Sequence, residues 1–94
     1  MPFYVMEWKM RAGCPKKAFE CFLGTGAPFP GVKMQRFHAP GSVNGWIIAE
    51  TDDITAIYAH AAEWAEFLEW NTTPVLPDEE AGATAAKVFP EFAK

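Results

Sequence analysis

His38 is the residue of this chain best suited to chemistry. It sits just before a turn in the run Arg36-Phe37-His38-Ala39-Pro40-Gly41-Ser42, which leads on to Gly45-Trp46-Ile47-Ile48-Ala49-Glu50. An imidazole titrates near neutrality, so His38 is the candidate to hydrogen-bond a substrate or to move a proton as an acid–base. Arg36 lies two positions earlier and therefore shares its strand face, where a guanidinium could hold an anion. Trp8, Trp64 and Trp70 could line a pocket for a flat apolar ligand between a sheet and its helices. The competing reading makes all five packing residues: the rings as core, His38 and Arg36 as contacts to the hairpin or to a partner subunit. Several indoles in one small domain need partners for their N–H groups, which a wet pocket would supply. Trp46 stays outside the set because strand register cannot be read from one sequence.

Other chemistry-bearing residues carry weaker signals. His60 falls one helical turn before Trp64, at the edge of an apolar stripe, and is expected on an amphipathic surface or rim. Two distant histidines without cysteine or carboxylate neighbours at ligand spacing do not make a zinc site, and no metal or cofactor is expected. Cys14 and Cys21 are seven positions apart in one expected helix, which separates their Cα atoms by roughly 10 Å. That exceeds the ~7 Å limit for a disulfide, so both are expected as free thiols, with Cys14 half-buried at the helix start. Gly24-Thr25-Gly26 closes a helix and so is no phosphate cradle. Glu63, Glu66 and Glu69 recur every third residue and are expected to form a solvated helix face.

The elements that must position these residues follow from periodicity. Phe3 to Met10 alternates, with Tyr4, Met6, Trp8 and Met10 on one face and Phe3, Val5, Glu7 and Lys9 on the other. Both faces begin apolar, which predicts a central strand. Pro15 suits a first helical turn, and Ala18, Phe19, Phe22 and Leu23 keep helical spacing up to Gly24. Ala27-Pro28-Phe29-Pro30-Gly31 is a stiff connector. Strands are predicted over Val32–Ala39 and Trp46–Glu50, joined by the turn residues Pro40 to Gly45. Asp52 or Asp53 then caps a helix with apolar positions Ile54, Ile57, Tyr58, Ala61, Trp64, Ala65 and Leu68. Glu69 to Val75 returns as a strand, and a short helix from Asp78 to about Val88 ends before Pro90. This is the ferredoxin-like βαββαβ order of an α+β fold: a four-stranded antiparallel sheet, two helices on one face, and a short C-terminal helix, in one domain over residues 1–94.

Composition bounds the function. At 94 residues with 50% apolar and 21% charged side chains, the chain is one globular domain. Its aromatic share of 15% exceeds what one small core needs, which points to a lined cavity or a subunit interface. A net charge of −4 argues against nucleic acid as a partner. No apolar run nears the roughly 20 residues of a membrane span. Met1-Pro2-Phe3-Tyr4 has no signal-peptide character, and the expected location is cytoplasmic.

Beyond these patterns, the order of Trp8, Gly31-Val32-Lys33, His38-Ala39-Pro40-Gly41-Ser42, Gly45, Glu50, Asp52-Asp53, Glu63-Trp64, Thr73-Pro74-Val75-Leu76 and Asp78-Glu79-Glu80 resembles a bacterial domain-of-unknown-function family, number 3303. The resemblance spans roughly residues 4–86. That family looks like part of the dimeric α+β barrel group, in which two ferredoxin-like sheets face each other. The group includes cofactor-free monooxygenases, haem-degrading enzymes, isomerases and plain ligand binders. The resemblance thus implies a fold and a homodimer, with Phe3 and Val5 at the shared sheet face. Three functions remain open: a small-molecule-binding module with an aromatic-lined pocket, a cofactor-free enzyme using His38, or a structural dimer.

Overall fold

The computed structural model describes residues 2–92; Met1, Ala93 and Lys94, the ends of the expected 1–94 domain, lie outside the described residues. Four strands and three helices follow in the order β1 (Phe3–Met10), α1 (Pro15–Thr25), β2 (Lys33–His38), β3 (Asn44–Glu50), α2 (Ile54–Trp64), β4 (Leu68–Val75) and α3 (Asp78–Val88). The strands form one antiparallel sheet in the order β2-β3-β1-β4, which is ferredoxin-like. The expected α+β architecture therefore holds, including β1 as a central strand.

Alternation decides which sheet face is buried. Tyr4, Met6 and Trp8 of β1 join Ile47 and Ala49 of β3 in the core. Ala18 of α1 and Ile57, His60 and Trp64 of α2 are the buried residues of the two helices. The opposite face exposes Phe37, Trp46 and Ile48, with Phe3 and Val5 half-buried beside them.

Local chemistry sets the helix ends. Pro15 opens α1, and Gly26, at φ 72°, closes it with its N–H bonded to Phe22 O at 2.8 Å. Asp53 caps α2, its Oδ1 accepting from Thr55 N at 2.9 Å. Hydrogen bonds from the Thr55 side chain and backbone hold the Asp53 carboxyl below its ordinary range. Asp53→Ala is expected to lower the melting temperature by a few degrees at neutral pH. The wild-type advantage should fade only in strong acid, once the Asp53 carboxylate is protonated, which thermal scans at pH 7 and pH 2.5 would read.

Two expectations for α2 are corrected. The helix ends at Trp64, where a turn over 65–67 begins: Arg11 Nε takes Ala65 O at 2.9 Å and Arg11 N takes Phe67 O at 2.8 Å. Leu68 therefore opens β4, and Glu69 lies on that strand facing Arg11 at 3.5 Å instead of continuing a helical acidic face. Ile54 and Tyr58 are also exposed, not core. The buried stripe runs Ile57, His60, Trp64, with Ala61 partly covered, so His60 faces the core and Tyr58 does not.

Shape departs from a sphere. The radius of gyration is 16.5 Å and the long axis 55 Å, against ~12 Å expected for a compact chain of this length. Helix α3 buries none of its residues, and Leu76, Val88, Phe89 and Phe92 around it are exposed. No helix among the described residues is long and apolar enough to cross a membrane.

Candidate functional site

One row of side chains crosses the whole sheet. His38 pairs with Gly45, Gly45 with Trp8, and Trp8 with Trp70, so β2, β3, β1 and β4 each contribute one residue. Gly45 carries no side chain, and the Trp8 ring occupies the room this leaves. Trp8 thereby reaches His38 edge-on across the intervening strand, with ring centroids 5.1 Å apart, and meets Trp70 on its other side at 6.2 Å. The next row places Arg36 opposite Ile47 and Ile47 opposite Met6.

Between this face and the helices lies a cavity bordered by Trp8, Arg36, His38, Trp64 and Trp70, the five residues singled out by sequence, together with His60. The centre of a water molecule can range over about 50 Å³ of it. One water needs ~10–15 Å³ on that measure, so the space takes a few waters or the head of a small organic molecule. The other lining residues are mostly apolar, among them Phe19, Phe22 and Leu68.

The polar groups around the cavity differ sharply in how well they are satisfied. Trp8 Nε1 donates to Ser42 O at 3.4 Å, and Ser42 Oγ lies 3.0 Å from His38 Nδ1. The tautomer of His38 sets which of that last pair donates. Ser42 is held at φ 56°, an uncommon region for a residue with a Cβ, by the tight turn that returns the chain to β3. Arg36 Nη2 donates to Ala27 O at 2.9 Å, and its guanidinium lies 5.9 Å from the Phe22 ring centroid. By contrast, the indole N–H groups of Trp64 and Trp70 are buried without a hydrogen-bond partner among the described residues.

Charge within the cavity is concentrated on Arg36. Burial lowers its pKa, yet a guanidinium stays protonated at any physiological pH. His60 stacks on Phe29 with centroids 4.0 Å apart and planes within 6°. Burial, helped by the Arg36 charge, pushes the His60 imidazole down to about 4, and the same two causes lower His38. Both imidazoles are therefore neutral at pH 7. No Asp or Glu lines the cavity among the described residues.

His60 is a correction. Sequence placed it on a surface or rim, whereas it is buried and lines the cavity. Its signal was present in the spacing Ile57, His60, Ala61, Trp64, and was masked by counting the exposed Ile54 and Tyr58 as core. Ser42, four residues after His38, was likewise missed as the group that engages its imidazole. Trp46 faces the open side of the sheet, with Nε1 donating to Glu7 Oε2 at 3.1 Å. Cys14 and Cys21 are both free and half-buried, and for Cys14 the half-burial was expected.

The chain matches the domain of unknown function DUF3303 over residues 2–89 and belongs to that family. No curated protein matches it.

Proposed function

We propose that this member of the DUF3303 family is a small-molecule-binding module whose pocket is the cavity between the sheet row and the helices. The observation that carries this reading is the cavity itself, bordered by the Trp8, Trp64 and Trp70 rings with the Arg36 guanidinium and the His38 and His60 imidazoles on its wall. The aromatic walls suit a small planar body. The chain works in the cytoplasm, where its two free thiols remain reduced.

The test is native mass spectrometry of the protein purified without denaturant, beside the Trp64→Phe and Trp70→Phe variants. The expected result is a bound small molecule that both variants retain less well. An unloaded protein would overturn the binding reading in favour of a structural dimer.

A second reading, a cofactor-free enzyme with His38 as acid–base, draws support from the neutral His38 ring held by Ser42 at the cavity wall. His38→Asn keeps part of that hydrogen bonding. Binding retained with turnover lost would favour the enzyme; both retained would remove His38 from the chemistry.

The working unit is a homodimer formed through the open sheet face. Phe37, Trp46 and Ile48 form an exposed apolar patch there. Lys9 and Lys33 share this face with Glu7, Glu50 and Glu69, so both charge signs are available to a two-fold partner. Sedimentation at micromolar concentration should give a dimer that Ile48→Glu converts to a monomer. A wild-type monomer under those conditions would dismiss the dimer without touching the pocket.

A further inference from the structure

We infer that the cavity selects a small aromatic or otherwise planar organic acid, its anionic head held by the Arg36 guanidinium. This rests on the small-molecule reading above and goes beyond it by assigning charge and orientation to the ligand.

The first support is an arginine without a counter-ion. Arg36 is half-buried and lines the cavity, yet among the described residues the ion pair formed is Arg11 with Glu69, and no carboxylate borders the cavity. Buried charges are ordinarily paired, because removing them from water is costly. Arg36 spends one N–H on Ala27 O, and a guanidinium has five to offer. A chain of net charge −4 thus keeps an unneutralised cation against its most aromatic wall.

The second support is the sign of the remaining hydrogen-bond capacity. A guanidinium donates and cannot accept, so the N–H groups Arg36 has left ask for acceptors. The Trp8 N–H is already engaged by Ser42 O. A cationic ligand would meet like charge, and a donor-rich one would meet donors. A carboxylate, with two oxygens and no proton to donate, answers the guanidinium fork.

Size sets the orientation. Space of about 50 Å³ for water centres receives a carboxylate-sized head but does not enclose a ring as well. The planar body of the ligand therefore extends beyond that space, where the exposed Phe19 ring of the lining is available to it.

Two probes of matched shape separate the possibilities: benzoate, and benzamide, which replaces one carboxylate oxygen by an amide donor. Each is titrated at pH 7.5 into protein with 15N-labelled indoles, and the four Trp N–H resonances are followed. Trp46, on the opposite face and bonded to Glu7, is the internal reference. Benzoate should move the Trp64 and Trp70 resonances, leave Trp46 in place, and bind at least about tenfold tighter than benzamide. Arg36→Gln should abolish that preference, whereas Arg36→Lys, which keeps the charge but not the fork, should retain part of it. An unchanged Trp46 resonance in each variant shows that the sheet is intact. Equal binding of the two probes, or undiminished benzoate preference in Arg36→Gln, would overturn the acid-selective site while leaving the pocket standing. No movement of either indole with either probe would overturn both.

Discussion

Gly45→Ala should be among the most damaging single-atom additions to this protein, lowering stability by about 3 kcal/mol. A Cβ on Gly45 would fall well inside contact distance of Trp8 Cζ2 and Cη2, and 2.5 Å from the Phe37 carbonyl oxygen. The carbonyl belongs to the β2–β3 ladder and cannot retreat without breaking strand pairing, and Trp8 is hemmed by His38 and Trp70. For a domain of this size, about 3 kcal/mol corresponds to a melting temperature lower by roughly 10–20 °C. Gly24→Ala is the matched control. Nothing lies within 4 Å of a Cβ there, and the residue is helical, so alanine should be neutral or slightly stabilising. An unchanged melting temperature in Gly45→Ala would mean that the Trp8 ring is free to move, and that the row across the sheet does not define the pocket wall.

Mild acid should destabilise the protein well before its carboxylates are protonated. In the unfolded chain His60 takes up a proton near 6.5, whereas in the folded protein it does so only near 4. Between those values the unfolded state binds more protons, so stability is fully present above pH 6.5 and is lost progressively as pH falls towards 4. At ~1.4 kcal/mol for each tenfold change in proton affinity, the loss from His60 has a ceiling of about 3 kcal/mol. Water in the cavity reduces it. His38 is lowered as well and acts in the same direction. Arg36 is the charged group that faces both rings, so every proton added there meets like charge. Urea unfolding at pH 7.5, 6, 5 and 4.5 would measure the slope. His60→Phe, which keeps a ring against Phe29 but cannot titrate, should flatten most of it. A wild-type slope no steeper than that of His60→Phe over this range would show that His60 charges freely in the folded state, and that it is not sealed in the cavity wall.

Much of the architecture was legible in residue order because its causes are local. The alternation of Tyr4, Met6 and Trp8 with Val5, Glu7 and Lys9 identified a strand and its buried side, since successive side chains must point to opposite faces. Pro15 and the pair Asp52-Asp53, of which Asp53 is the cap, marked helix starts through the backbone donors that every helix leaves unpaired. With strand and helix order known, right-handed, short connections left the ferredoxin-like sheet as the economical closure. The helix boundary at Trp64 was not legible, because it depends on Arg11, 54 residues away in sequence from the carbonyl of Ala65 that it takes.

For the candidate site, residue type and strand parity were enough to nominate Trp8, Arg36, His38, Trp64 and Trp70, all of which line one cavity. Parity could not say which residue stands beside which. That His38, Gly45, Trp8 and Trp70 form a single row depends on register between strands, and a slip of one residue in any of them would turn its side chains to the other face. Nor could it show that His60 is sealed against Phe29, or that Trp46 looks the other way. Local sequence determines which face a side chain takes. Only the packing of distant segments against one another determines what that face meets, and hence that Arg36 borders an aromatic cavity with no carboxylate among the described residues beside it.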